Sequence, residues 1–168
     1  MKPATRLLCA ALAATALGGG ALAQQQATFA VRSITPEAAL RAAQAALQSC
    51  ARSGYQVAVA VSDRAGEPVV MLRDRLAGPH TPATAMNKAY TAVTFKIDTL
   101  AFARATQATE TSSGIRQLPR VVAIGGGVPI ESAGALVGGI GVSGAPGGEA
   151  DDVCARAGIA AIKDDLEF

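Results

Sequence analysis

The chain has 168 residues, of which 50% are apolar and 17% are charged. This composition excludes an intrinsically disordered protein, and the length suits one domain. The formal charge is +2, and without the two basic residues near the N-terminus 13 basic residues face 13 acidic ones. A neutral domain with no stripe of basic residues is not expected to bind nucleic acid.

The first 23 residues have the layout of a secretory signal. Lys2 and Arg6 give a basic start, residues 7–17 are apolar, and the small residues 21–23 suit a cleavage site. The apolar run is too short for the roughly 20 residues of a membrane span. We therefore predict export to the periplasm or the medium, without membrane association after cleavage. The predicted segments are a signal peptide over residues 1–23, a flexible leader over 24–33 and one domain over 34–168.

The first half of this domain predicts one helix and a two-stranded hairpin. Thr35 is a good helix N-cap, and Gly54 follows the last residue of an apolar helical stripe. In residues 57–61 valine alternates with small residues, which is the period of a strand. Residues 68–72 return as the second strand after a turn that contains glycine.

The second half predicts two more helices, three strands and a terminal helix. Thr81 is the expected N-cap of a helix with a strip of alanines, and Asp98 begins a short helix. The three strands are predicted at residues 121–124, 128–130 and 135–142, and the terminal helix at 149–164. Because hairpins rather than helices join most strands, we predict an α/β protein of the α+β type. Its sheet is expected to be mainly antiparallel, five-stranded and flanked by helices.

Two cysteines, Cys50 and Cys154, follow the predicted signal peptide and fall on separate predicted helices. An exported protein can form disulfides. The sequence leaves open whether these cysteines pair or remain buried thiols. A disulfide requires their Cα atoms to lie within about 7 Å of each other.

Patterns of known catalytic and metal sites are scarce. His80 is the single histidine, and with two distant cysteines it offers no zinc-binding spacing. No nucleophile elbow is present, and the glycines at 125–127 do not match a dinucleotide-binding loop. Hydrolase triads, zinc sites and dinucleotide binding are therefore not expected.

A glycine-rich segment at residues 144–148 precedes the terminal helix. Its backbone N–H groups could face an anion such as a haem propionate or a small organic acid. In the alternative interpretation, the acidic residues Glu149, Asp151 and Asp152 already satisfy that helix end.

A second candidate segment contains His80, with Lys88 and Tyr90 further along the predicted helix. Imidazole is a common ligand of haem iron, and a lysine can meet a carboxylate. Alternatively, His80 is exposed and idle, and Lys88 lies on a solvated helix face. Tyr90 packs in the core, ligates iron itself, or does both. The scarcity of aromatic residues favours a shallow or inter-subunit haem site over an enclosing one.

Four motifs, taken together, resemble those of the GlcG/HbpS family of haem-binding proteins, whose labels also mention haem degradation. They are AGPHT at residues 77–81, NKAYTA at 87–92, GGGVPI at 125–130 and GGIGVSGAPGGE at 138–149. The resemblance extends over about residues 34–162, and the last motif is the most specific. It implies a compact α/β domain that assembles into homo-oligomers.

We therefore expect an exported haem-binding protein that stores, carries or senses haem. His80 is the expected iron ligand or its close neighbour, and the other expected cofactor contacts are Lys88, Tyr90, Pro146, Gly147 and Gly148. The alternatives are an enzyme acting on haem or a small hydroxy acid, and a non-catalytic interaction subunit with a vestigial pocket. A single histidine and the lack of an acid–base cluster favour binding over catalysis. The expected partners are haem or a small carboxylate, and further copies of this chain.

Overall fold

A computed structural model describes residues 27–167 of the chain. The described residues from Val31 onward belong to one compact unit, and the description below concerns that unit. The predicted signal peptide over residues 1–23 and part of the predicted leader lie outside the described residues. Within residues 27–167, no helix combines the length and the apolar character that crossing a lipid bilayer requires.

The unit contains an antiparallel sheet and five helices in its described part. In chain order the elements are α1 (Pro36–Arg52), β1 (Ala58–Asp63), β2 (Pro68–Arg73), α2 (Thr81–Phe95), α3 (Thr99–Ala105), a 3-10 turn (Ser113–Gln117), β3 (Gly127–Ser132), β4 (Ala135–Ser143), α4 (Gly148–Ala160) and α5 (Lys163–Leu166). The strand order is β2-β1-β4-β3, and every neighbouring pair is antiparallel. The predicted α+β class is confirmed, but the described sheet has four strands rather than five.

The predicted strand at residues 121–124 is wrong. The amide of Val122 donates to Thr91 Oγ1 of α2 at 2.9 Å, so it bonds to a helix side chain instead of a neighbouring strand. Ile124 is 52% exposed. A short apolar run does not distinguish a strand from an extended segment that crosses a helix. This segment is the latter.

A side-chain cap explains where α1 begins, whereas α2 begins without one. Thr35 Oγ1 accepts from the amide of Ala38 at 3.2 Å and caps α1, as predicted. The predicted cap of α2 is wrong, since His80 occupies the N-cap position and Thr81 is the first helical residue. The Thr81 hydroxyl donates instead to the carbonyl of Gly78 at 2.7 Å.

The sheet separates two layers of helices. On one face, the β1 valines and Ile140 of β4 form the main core with α1 and α4. On the other face, Ala58 and Ala60 meet Ala85 of α2. A Cβ placed on Gly141 would overlap the Ala85 carbonyl, so α2 lies directly on β4. This close approach fixes which α2 residues point toward the end of β4.

A disulfide joins the two helices of the main core. Cys50 of α1 and Cys154 of α4 are bonded, with their Cα atoms 5.5 Å apart. The structure thus resolves the alternative that the sequence left open in favour of pairing. The predicted terminal helix over 149–164 is two helices, because α4 ends at Ala160 and α5 begins at Lys163.

Candidate functional site

A cleft of about 380 Å³ lies where the start of α2, the end of β4 and the start of α4 meet. Three titratable side chains and three glycines of a glycine-rich bend are among its lining residues. They are His80, Lys88, Asp151, Gly144, Gly147 and Gly148. The cleft therefore brings together the glycine-rich segment at residues 144–148 and the segment that contains His80 and Lys88. The sequence suggested these as two separate candidates.

His80 lies on the rim of this cleft. Its side chain is exposed, and a Cβ placed on Gly78 would come within 3.0 Å of the imidazole, so the ring lies over that glycine. Its carbonyl accepts from the amide and the hydroxyl of Thr84, each at 3.1 Å, which fixes the backbone at the start of α2. Among residues 27–167, no group is hydrogen-bonded to the imidazole itself. Its nitrogens are therefore available to a ligand.

Lys88 forms the floor of the cleft with Asp151. Lys88 Nζ donates to Asp151 Oδ2 at 2.7 Å and to the carbonyl of Val142 at 2.9 Å. The two side chains are only 2% and 5% exposed. The interpretation of Lys88 as a residue on a solvated helix face is therefore wrong. Asp151 Oδ1 also accepts from the amide of Ala145 at 3.0 Å, so the pair fastens the glycine-rich bend to α2.

Burial acts against the charges of this pair. Desolvation lowers the pKa of Lys88, and the attraction of Asp151 opposes that change. Desolvation likewise raises the pKa of Asp151, while Lys88 and two backbone amides oppose the change. The lowered pKa of Lys88 and the raised pKa of Asp151 both reduce the free-energy difference between the ion pair and its neutral form, an amine beside a carboxylic acid.

A glycine gives the chain room to pass this ion pair. Gly126 has φ +110°, and a Cβ there would lie 2.6 Å from Asp151 Cβ and 3.1 Å from Lys88 Nζ. In the sequence, residues 125–127 do not match a dinucleotide-binding loop and belong to the GGGVPI motif. Their role is close packing around the buried pair.

The start of α4 is open at the side of the cleft. Gly147 is its N-cap and offers no side-chain cap. The carboxylate of Asp151 faces Lys88 and Ala145 rather than the first amides of its own helix. Of the three acidic residues in the alternative interpretation, Asp151 faces Lys88 and Asp152 faces Arg156, whereas Glu149 Oε2 lies 3.4 Å from the Cβ position of Gly147.

Two of the predicted site residues lie away from the cleft lining. The Tyr90 ring lies against Gly66, and the Arg120 guanidinium stacks 4.0 Å above the ring centroid. Pro146 is exposed and does not line the cleft. The cleft thus brings together four of the predicted site residues, His80, Lys88, Gly147 and Gly148. Tyr90 and Pro146 are not part of its lining. Asp151 also lines the cleft, although the sequence suggested only that it interacts with the start of the terminal helix.

A larger cleft of about 640 Å³ lies elsewhere, between the ends of α2 and α4 and beside β3. Its charged lining includes Lys96, Lys163 and Arg156. Arg156 is already engaged, because its Nε lies 2.6 Å from Asp152 Oδ2. None of the predicted site residues lines this second cleft.

Solved structures with the same fold are available for comparison. A crystal structure of HbpS is 38% identical to this chain with a TM-score of 0.77, covering 81% of this chain and 94% of HbpS. A double mutant of Streptomyces reticuli HbpS is 37% identical with a TM-score of 0.77, covering 91% of this chain and 98% of that one. A PduOC:haem complex is 29% identical with a TM-score of 0.73, covering 77% and 95%.

No curated protein sequence matches the chain significantly. The family model described as "Haem degrading protein HbpS-like" matches residues 34–160, close to the range over which the motifs resemble this family. That match covers most of the chain, and the crystal structures of HbpS share the fold at more than a third identity. The chain therefore belongs to the HbpS-like family.

Proposed function

We propose that this protein is an exported haem-binding protein and that His80 is its iron ligand. The observation that carries this proposal is the position of the imidazole on the cleft rim, exposed and without a hydrogen-bond partner among residues 27–167. Neutral imidazole ligates haem iron well, and the chain has no other histidine. A relative with the same fold has been crystallised as a haem complex.

The remaining lining suits one edge of a haem rather than a whole macrocycle. Gly147 and Gly148, at the open start of α4, offer backbone N–H groups to a propionate. No Phe, Tyr or Trp is among the lining residues of the cleft in the described part of the chain. Lys88 adds little net charge because Asp151 neutralises it. Bound haem would supply redox and ligand-exchange chemistry at its iron, and the protein would contribute His80 and a shallow polar cleft.

The disulfide supports the proposed export. Cys50 and Cys154 are both buried and bonded to each other. Such bonds persist in oxidising compartments and are rare where thiols are kept reduced. With the signal-like start of the sequence, this favours a role in haem storage, transport or sensing outside the cytoplasm.

Haemin titration of the purified protein tests the proposal. Wild type should give a sharpened Soret band, and His80→Ala should shift its maximum and weaken the affinity. Tyr90→Phe is the matched control, since Tyr90 lies outside the cleft and Phe keeps its ring. An unchanged spectrum for His80→Ala would refute the assigned ligand, and no response of the wild type would refute haem binding. Loss of the band with reductant and oxygen would indicate haem degradation.

A small carboxylate is the second candidate ligand of the same cleft. The small volume, the open start of α4 and the polar lining favour it. Amide chemical shifts of Gly147 and Gly148 during a titration with lactate would test this candidate. Saturable shifts confined to the cleft would support it, and the absence of shifts at millimolar lactate would exclude it.

A further inference from the structure

The amine of Lys88 combines burial with a position on a cleft. Lys88 is 1% exposed. The other lysines of the described chain differ, since Lys96 is exposed and the Lys163 side chain is 71% exposed. Lys88 and its partner Asp151 both line the cleft. A ligand of suitable size that enters the cleft therefore lies against an ion pair that is shielded from bulk water.

We propose that Lys88 forms a Schiff base with small aldehydes or ketones that enter this cleft, with Asp151 holding the transferred proton. This reactivity goes beyond haem binding and does not depend on His80. The geometry that carries it is a cavity-lining amine whose ammonium group is hydrogen-bonded to a carboxylate at 2.7 Å.

The reaction balances with the groups present and the substrate alone. Transfer of one proton from Lys88 Nζ to Asp151 Oδ2 leaves a neutral amine and a carboxylic acid. The amine lone pair attacks the carbonyl carbon, and after proton transfer from nitrogen to oxygen the product is a carbinolamine. Asp151 then protonates the leaving hydroxyl, the C–O bond breaks, and water departs as the C=N bond forms. The product is a protonated imine beside a carboxylate, and no oxidant or reductant is consumed.

The surroundings favour the neutral amine that this reaction needs. Burial lowers the pKa of Lys88 and raises the pKa of Asp151, so the proton transfer costs less than it would in water. No neighbouring cation is needed to lower the pKa of Lys88, because desolvation is the largest cause of the change.

The cleft also has the space and the polarity for a small carbonyl compound. The backbone amides at the start of α4 face the same cavity, so they can accommodate a polar or anionic substituent of the substrate. The cleft volume of about 380 Å³ is suited to a compound of a few heavy atoms.

Reductive trapping on the native wild-type protein tests the proposal without relying on any variant to fold. The protein is incubated with acetaldehyde and cyanoborohydride at pH 7, and ethylated lysines are mapped by peptide mass spectrometry. Lys88 should be ethylated faster than Lys96 and Lys163, because the free-amine fraction rises about tenfold for each unit by which a pKa falls. Modification of Lys96 and Lys163 with Lys88 untouched would overturn the proposal.

Three further measurements separate reactivity from accidental exposure. If low urea concentrations accelerate ethylation of Lys88, the amine is reached by unfolding and the proposal is wrong. Asp151→Asn removes the acid that protonates the leaving hydroxyl, so trapping at Lys88 should slow at saturating acetaldehyde. The free-amine fraction does not fall in this variant, because loss of the Asp151 charge lowers the pKa of Lys88 further. Lys163→Arg is the matched control and should leave the rate at Lys88 unchanged, because Lys163 is remote from the cleft lining.

Discussion

Lys88 Nζ lies 2.7 Å from Asp151 Oδ2, although 63 residues separate the two in sequence. The bond connects the middle of α2 to the first turn of α4, and through Val142 and Ala145 it also holds the end of β4 and the following bend. The floor of the cleft and the junction of three elements are therefore the same structure. Ligand chemistry and fold stability are coupled at this pair.

Removing one partner of the pair should destabilise the protein strongly. Lys88→Met leaves the buried Asp151 carboxylate without its cation, and breaking a buried pair in this way costs about 3–5 kcal/mol. The double variant Lys88→Met/Asp151→Leu should recover most of that loss, because no unpaired charge remains. Urea denaturation of both variants measures the free energies of unfolding. A loss below about 1 kcal/mol for Lys88→Met would contradict a buried ion pair.

The Lys88→Met variant should also gain stability toward acidic pH more steeply than the wild type. Burial raises the pKa of Asp151 above 3.8, and removing Lys88 removes the main force that opposes this rise. The folded state then binds a proton more tightly than the unfolded state, so stability increases as pH falls from neutrality toward 3.8. The difference in Tm between variant and wild type, measured by thermal denaturation, should therefore shrink as the pH falls from 7 to about 4.5. A constant gap over this range would show that Asp151 does not titrate there.

The disulfide should contribute more to stability than a single core side chain. Cys50 and Cys154 are 104 residues apart in sequence, and cross-linking a loop of about 100 residues stabilises a protein by about 4–5 kcal/mol in the chain-entropy model. Cys50→Ala/Cys154→Ala should lose roughly this amount in urea denaturation. Reducing agent should destabilise the wild type and leave the double variant unchanged. Equal sensitivity of both proteins to reductant would exclude the bond as the cause.

The sequence predicted those elements that are determined by contacts between residues close together in the chain, such as helix caps. Thr35 caps α1 and Asp98 caps α3 through side-chain oxygens that accept backbone amides within the same turn. The alternation of valine with small residues at 57–61 likewise indicates a strand. Its valines face the main core, and its alanines face α2. The run at 121–124 carries no such period, and its failure as a strand reflects a tertiary contact with Thr91.

The site was predicted less well because its central contact is long-range. No local rule pairs Lys88 with a residue beyond the sheet and the following bend. One signal was present, since Lys88 lies three residues after Ala85 and four before Ala92, on the helix face that carries the buried alanines. A lysine on such a face must be paired with an acidic group or with backbone carbonyls.

We propose that the protein assembles into a symmetric homo-oligomer larger than a dimer. Large apolar side chains are exposed between β2 and α2 and on α4, with Leu76 75% and Val153 66% exposed. Such side chains favour contacts between copies of the chain. Multi-angle light scattering at micromolar concentration should give a mass of at least three chains. Val153→Glu should lower that mass, and a monomeric wild type would refute the proposal.

Gly126 should be far less tolerant of a side chain than another glycine with a positive φ. Gly126→Ala places a Cβ 2.6 Å from Asp151 Cβ at a backbone with φ +110°. Gly134→Ala is the matched control, because Gly134 has φ +75° but nothing lies within 4 Å of its Cβ position. Both substitutions cost about 1–2 kcal/mol of backbone strain, and Gly126→Ala should add about 1–3 kcal/mol from overpacking around the ion pair. Urea denaturation of the two variants measures the difference in unfolding free energy. Equal losses would mean that Lys88 and Asp151 shift at no cost, and that the cleft floor is not rigid.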